Sequence, residues 1–215
     1  YFCKRRSDIM LFLCFGMFLI ILSVLAFFRN RSVRRSEDAT EAFWSREYES
    51  NHIRKKDISD LSYIEIPLDA LPLHVCSSER CISLESQLTA LAGKKIVNLS
   101  NLSNTDLKLT YGTANLTVLS EYDQNFTQLS NLLYSYGKEL EDNGFHREAI
   151  QVLEYGISIH CDASRLFVFL ASLYQKDHAT DKIRALIEEA SALSPLLRDA
   201  TVKQLEDLLN GADAS

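Results

Sequence analysis

The sequence predicts a mainly α-helical protein carried on one membrane-spanning helix. Three observations lead there. Residues Ile9–Phe28 form a run of twenty without a charge. The 215 residues hold only three prolines and seven glycines, few for the many turns of a β-sandwich. From Phe126 onward, the pattern of large and small residues returns after 34 positions.

The first of these sets the N-terminal organisation. Twenty helical residues reach about 30 Å, the thickness of a bilayer's hydrocarbon core. Fourteen of the twenty are Leu, Ile, Val or Phe, which favours insertion. The apolar part of a cleaved signal peptide is about 7–15 residues and ends at small residues. This run is longer and ends in Phe27, Phe28 and Arg29, so it reads as a retained signal anchor. A basic tail, residues 1–8, precedes it. Lys4, Arg5 and Arg6 on one side nearly balance Arg29, Arg31, Arg34 and Arg35 on the other. The count leans slightly toward a cytoplasmic C-terminal domain.

Charge divides the chain in two. Residues 1–36 carry +6 and the remainder −12. So acidic a domain is a poor match for nucleic-acid phosphates, which require clustered Lys and Arg. Its charge serves solubility.

Residues 29–61 read as a juxtamembrane stalk. Ser36 is placed to cap a helix from Glu37, with Phe43, Trp44 and Tyr48 as a small aromatic face and Arg54–Lys56 at its end. Residues 62–125 read as short strands and helices packing on the helical region beyond residue 125. Ile64, Ile66 and Leu68 alternate as in an edge strand limited by Pro67, and residues 96–99 suggest a second short strand. Leu84, Leu88 and Leu91 share one helix face over 79–92, with Ser77 or Ser78 as cap. Short helices are expected over 106–111, ended by Gly112, and over 114–122.

Asn98, Asn101, Asn115 and Asn125 each head an Asn-x-Ser/Thr triplet, as does Asn30 beside the membrane segment. These triplets fit either a glycosylated lumenal domain or the chance yield of an Asn/Ser/Thr-rich stretch. Of the five cysteines, Cys3 and Cys14 belong to the membrane region, Cys76 and Cys81 form a close pair, and Cys161 stands alone. An oxidising compartment would allow a bridge between this pair; two ordinary thiols is the expected state.

In the repeat, Leu133, Tyr136, Gly137, Leu140, Ala149, Leu153, Gly156 and Cys161 align with Phe167, Leu170, Ala171, Tyr174, Ile183, Ile187, Ala190 and Pro195. Most pairs keep their size; Ala149 with Ile183 departs in size and Cys161 with Pro195 in chemistry. Gly144 supplies an inter-helix turn, where the second unit has His178, and Pro195 is expected to end the second unit. This pattern resembles the tetratricopeptide repeat (TPR) family over residues 126–195, as two divergent helix–turn–helix units. Residues 196–215 supply a capping helix and tail, with Val202, Leu205 and Leu209 as its stripe and Gly211 as its stop.

The resemblance implies a concave groove lined by the first helix of each unit. The matching positions are Asn131, Tyr134, Ser135, Lys138, Arg165, Val168, Phe169 and Ser172. Tyr, Val and Phe beside Lys and Arg suit a short apolar or acidic-apolar peptide. An alternative is that Val168 and Phe169 pack against residues 63–125. The chain is similar to bacterial single-pass proteins in which a TPR-like domain acts as a scaffold or chaperone-like partner of membrane complexes. A bacterial plasma membrane is the location this implies.

No nucleophile–base constellation stands out, and no cofactor is expected. His74, Cys76 and Cys81 are three soft ligands without the C-x2-C spacing of a structural zinc site. His160 and Cys161 are neighbours that a helix would point apart. The leading expectation is therefore a membrane-anchored protein- or peptide-binding module without catalysis. Two alternatives remain: a metal-dependent or catalytic domain centred on residues 63–125, and a lumenal glycoprotein of a eukaryotic secretory membrane.

Overall fold

The computed structural model describes residues 37–213 together with Met17. Apart from Met17, the apolar run Ile9–Phe28 lies outside the described residues. So do its flanking arginines, Cys3, Cys14, Asn30 and the expected cap Ser36. No helix among the described residues is long and apolar enough to cross a membrane.

The chain divides into two units between Ile53 and Arg54. In the first, residues 37–51 are helical (α1). Phe43, Trp44 and Tyr48 are all more than half exposed on it. Phe43 and Trp44 meet edge to face, with centroids 5.4 Å apart. After the helix, the His52 ring meets the Tyr48 ring at a tilt of 41°, centroids 4.3 Å apart, and the Tyr48 carbonyl at 2.7 Å.

The second unit is helical with irregular connections. It contains α2 (Glu79–Ala92), α3 (Asn104–Tyr111), a 3₁₀ turn (Thr113–Asn115), α4 (Leu116–Asp142), α5 (His146–Ser158), α6 (Ser164–Lys176), α7 (Thr180–Ala190) and α8 (Pro195–Asp213). No strand occurs among the described residues, which corrects the expectation of strands near 62–68 and 96–99. Between the two segments the Ile64 N–H donates to the Ile96 carbonyl at 2.9 Å. The amides of Val97 and Leu99 turn instead to α4, donating to the Tyr122 carbonyl and Asp123 Oδ1. Beyond Ile66 the chain folds on itself around Pro67, whose carbonyl accepts from Ala70 and Leu71. A ladder cannot form when its donors are spent this way.

Residues 54–61, read from the sequence as the end of the stalk, belong to the folded unit. Lys56 N–H donates to the Tyr111 carbonyl at 3.0 Å. Ile58 and Leu61 pack on a small cluster of Val97, Leu99, Leu107 and Leu119.

α2 forms as its pattern predicts. Ser78 is the cap, its Oγ accepting from the Cys81 N–H, and Leu84, Leu88 and Leu91 are buried. α3 opens on a capping box between Ser103 and Asp106. The helix expected over 114–122 is part of α4, which runs 27 residues without a break. No Gly or Pro interrupts it before Gly137. Asn125, a weak helix former, turns its Nδ2 outward to the Lys95 carbonyl.

From the middle of α4 the chain repeats in structure as well as sequence. α5 begins at His146 and α7 at Thr180, 34 residues on. In the first turn Phe145 N–H donates to the Leu140 carbonyl at 2.9 Å, and in the second Ala179 N–H donates to that of Tyr174 at 2.9 Å. Gly144 has φ +85° and His178, its counterpart, φ +54°. A side chain in the left-handed region costs about 1–2 kcal/mol. His178→Gly is therefore expected to raise stability by about 0.5–1 kcal/mol, once glycine's greater freedom in the unfolded chain is counted. A urea midpoint that falls would contradict this backbone equivalence.

Small residues set the helix spacing. A Cβ on Gly137 would lie 2.9 Å from Leu153, and one on Gly156 2.7 Å from Leu166. Their counterparts Ala171 and Ala190 are fully buried. Two corrections concern α8. Pro195 opens this helix, at the position where a missing N–H costs nothing, rather than only ending the repeat. Gly211 lies inside α8 and does not stop it. Leu205 is fully buried in the main core, with Val202 and Leu209 packed at its margin.

Candidate functional site

The eight expected groove residues fall on two helices. Asn131, Tyr134, Ser135 and Lys138 lie on α4; Arg165, Val168, Phe169 and Ser172 lie on α6. Each α6 residue is the 34-residue counterpart of one on α4. The structure brings four of them together. The Arg165 guanidinium lies over the Tyr134 ring, 4.6 Å from its centroid, and donates to Asn131 Oδ1. Tyr134 in turn meets Phe169 edge to face at 5.9 Å. Asn131, Lys138 and Arg165 are exposed, while Tyr134, Ser135, Val168, Phe169 and Ser172 are half-buried. Ser172 spends its hydroxyl on the Phe169 carbonyl within its own helix. Phe169 packs at the edge of the main core as well as on Tyr134.

Polar clusters link the two hairpins. His146 opens α5 and places one ring nitrogen 2.7 Å from Glu141 Oε2 and the other 3.0 Å from Asp177 Oδ1. Lys176 adds a 2.7 Å pair to Glu141. Burial raises the Glu141 carboxyl, but the bonds from Lys176 and His146 outweigh it and hold the group below the usual carboxylate range. In a second cluster, Glu154 Oε1 accepts from Tyr174 at 2.7 Å and Lys182 at 2.8 Å. Both clusters tie the first hairpin to the second.

The segment before α2 is anchored differently. Glu85 is buried. Its carboxylate accepts the His74 N–H at 2.9 Å and meets the Tyr136 hydroxyl at 2.7 Å, while His74 Nδ1 lies 3.1 Å from its second oxygen. His74 itself is 86% exposed and directed to Glu85, away from the role of a third soft ligand beside Cys76 and Cys81. No group of three or more His, Cys, Asp or Glu side chains among the described residues converges as metal ligands. His160 has φ +57° and is exposed, whereas Cys161 is buried against the Ser130 hydroxyl at 2.9 Å. The two form no pair.

The sequons separate in the fold. Asn115 and Asn125 are buried, at 1% and 6% exposure. Asn115 donates Nδ2 to the Lys56 and Tyr111 carbonyls, both at 2.7 Å, and Asn125 to that of Lys95. Both hold the second unit together, and a glycan on either Nδ2 has no room in this fold. Asn98 Nδ2 donates to the His160 carbonyl, while Asn101 is exposed.

Sequence reasoning missed two features. A cavity of about 210 Å³ lies among Asn98, Asn101, His160, Asp162, Glu189 and Leu193. An apolar cleft of about 270 Å³ lies between α5 and α7 beside Glu154, Tyr174 and Lys182. Their walls come from stretches far apart in the chain, which no local pattern links.

Fold and surface together define a helical-hairpin protein with an aromatic and cationic face on its paired first helices. No protein-family model matches this chain, and no curated protein or solved structure is significantly similar to it.

Proposed function

We propose that this protein is a membrane-anchored interaction module, tethered by Ile9–Phe28, whose two hairpins are TPR-like repeats capped by α8. On this reading the face shared by α4 and α6 receives a short apolar or acidic-apolar peptide of a membrane-protein partner. The Arg165–Tyr134–Phe169 cluster carries the reading. It offers a cation and two aromatic edges at a surface, on helices related by the 34-residue period. Aromatic and Arg side chains are the types that dominate binding energy where partners meet. The matched hairpin turns at Gly144 and His178 support the repeat assignment.

Phe169→Asp and Arg165→Glu test it. Both are expected to remove the same co-purifying membrane proteins from the detergent-solubilised, cross-linked complex, by at least tenfold, with the circular dichroism spectrum unchanged. Partners retained by both folded variants would exclude this face.

A further inference from the structure

We propose that α1 is an interfacial helix whose Phe43, Trp44 and Tyr48 side chains insert among zwitterionic phospholipid headgroups. This rests on the tether in the reading above and not on its peptide-binding face.

Exposure singles this helix out. Phe43, Trp44 and Tyr48 are 56%, 63% and 68% exposed. Every Phe and Tyr described beyond residue 53 is buried or half-buried. The exposed Phe, Tyr and Trp rings among the described residues therefore all lie on α1. At about 100° per residue, the three side chains span an arc of about 140°. Phe43 and Trp44 pack edge to face at 5.4 Å, and Tyr48 carries the patch on to the His52 ring at 4.3 Å. A single exposed apolar residue needs no explanation, whereas a contiguous group marks a surface that meets something.

Three features select a lipid surface as the occupant. The first is reach. Eight residues separate Phe28, the end of the apolar run, from Glu37. They span about 30 Å at full extension, so a chain anchored by Ile9–Phe28 keeps α1 beside the bilayer. The second is residue type. Trp and Tyr pair an apolar ring with a polar N–H or O–H, and they collect at headgroup level. The third is charge. Glu47 falls inside the aromatic arc, and its carboxylate keeps this face out of the hydrocarbon core. Five carboxylates against Arg46 give α1 a charge of −4. That charge is repelled by anionic lipid and leaves zwitterionic headgroups as the match. A second copy of α1 would set −4 against −4, which disfavours self-association through this face.

Trp44 is the single tryptophan of the chain and serves as its own probe. The full chain is reconstituted into phosphatidylcholine vesicles and floated through a sucrose gradient in alkaline carbonate. The floated fraction is then returned to neutral pH for fluorescence. A chain that stays at the bottom sinks the tether and this proposal with it. In the floated fraction, Trp44 emission is expected to be blue-shifted from that of tryptophan in water. With its face buried about 5–10 Å into the headgroup and acyl boundary, bromines on the upper acyl chain are expected to quench about half of that emission, and bromines near the chain end much less. The double variant Phe43→Ser, Tyr48→Ser is expected to float as before, with an unchanged circular dichroism spectrum, while the blue shift and most of the quenching are lost. The proposal is overturned, with the tether intact, if the floated wild-type chain emits as in water and resists bromine. It is equally overturned if the double variant is quenched as strongly as the wild type. Quenching that is strongest near the chain end overturns it as well, because that marks a spanning segment. So does a blue shift that resists bromine and fades on dilution with lipid, which marks contact between two copies.

Discussion

Gly112→Ala is expected to destabilise the second unit by about 3 kcal/mol, combining backbone strain of about 1–3 kcal/mol with an overlap of similar size. Gly112 has φ 86° and ψ 147°, a region nearly closed to residues with a Cβ. An added Cβ would lie 2.3 Å from the Arg54 carbonyl oxygen and 3.0 Å from Lys55 Cα. Those atoms are backbone, so no rotamer relieves the clash. The strand of chain from Arg54 to Lys56 must lift, and with it go the Lys56 N–H to Tyr111 bond and the Asn115 bond to the Lys56 carbonyl. Urea denaturation followed by far-UV circular dichroism measures the loss, and hydrogen exchange at the Lys56 amide locates it. Wild-type stability with a still-protected Lys56 amide would show that Arg54 does not lie against Gly112.

Tyr136 is the second position where a large effect is expected. It is fully buried in α4, and its hydroxyl lies 2.7 Å from Glu85 Oε1 and 2.8 Å from the Pro72 carbonyl. Burial and the adjacent Glu85 carboxylate push the phenol far above its ordinary range, so it serves as a donor at every accessible pH. Tyr136→Ala removes a large core side chain and is expected to cost about 3–5 kcal/mol. Tyr136→Phe keeps the ring and leaves Glu85 short of a donor, at about 1–3 kcal/mol. Adding Glu85→Leu to Tyr136→Phe should recover part of that loss, because the buried carboxylate is removed along with its donor, although the His74 N–H and the Pro72 carbonyl still lose a partner. If the double variant is less stable than the sum of its single changes, the loss in Tyr136→Phe does not come from its bond to Glu85.

Much of the helical frame was legible before the structure. The Leu84, Leu88 and Leu91 stripe, a cap at Ser77 or Ser78, the stop at Gly112 and the turn at Gly144 are short-range signals, and each appears where its residues stand, with Ser78 taking the cap. The eight groove positions were legible as places on two helices. Their contacts were not: that Arg165 lies on Tyr134 rather than in open solvent follows from the distance between α4 and α6, which Gly137 and Gly156 set by letting Leu153 and Leu166 approach. The misread segments are residues 62–68 and 96–99. Their apolar residues resemble strands, yet the chain turns back at Pro67, and Tyr122 and Asp123 of α4 accept from the amides of Val97 and Leu99. A period-2 pattern reports which side chains are apolar and not which carbonyl each amide will find.

By itself, the sequence determined the helical class, the 34-residue period, the acidic character of the chain beyond residue 36 and the uncharged run Ile9–Phe28. These are properties of composition and spacing, and they survive any arrangement of the helices. Only the tertiary structure decided that α4 is one helix, that Asn115 and Asn125 are internal braces, and that Arg165 lies over Tyr134. Each depends on groups brought together by packing of the whole unit. Burial then sets the cost of leaving any one of them without a partner.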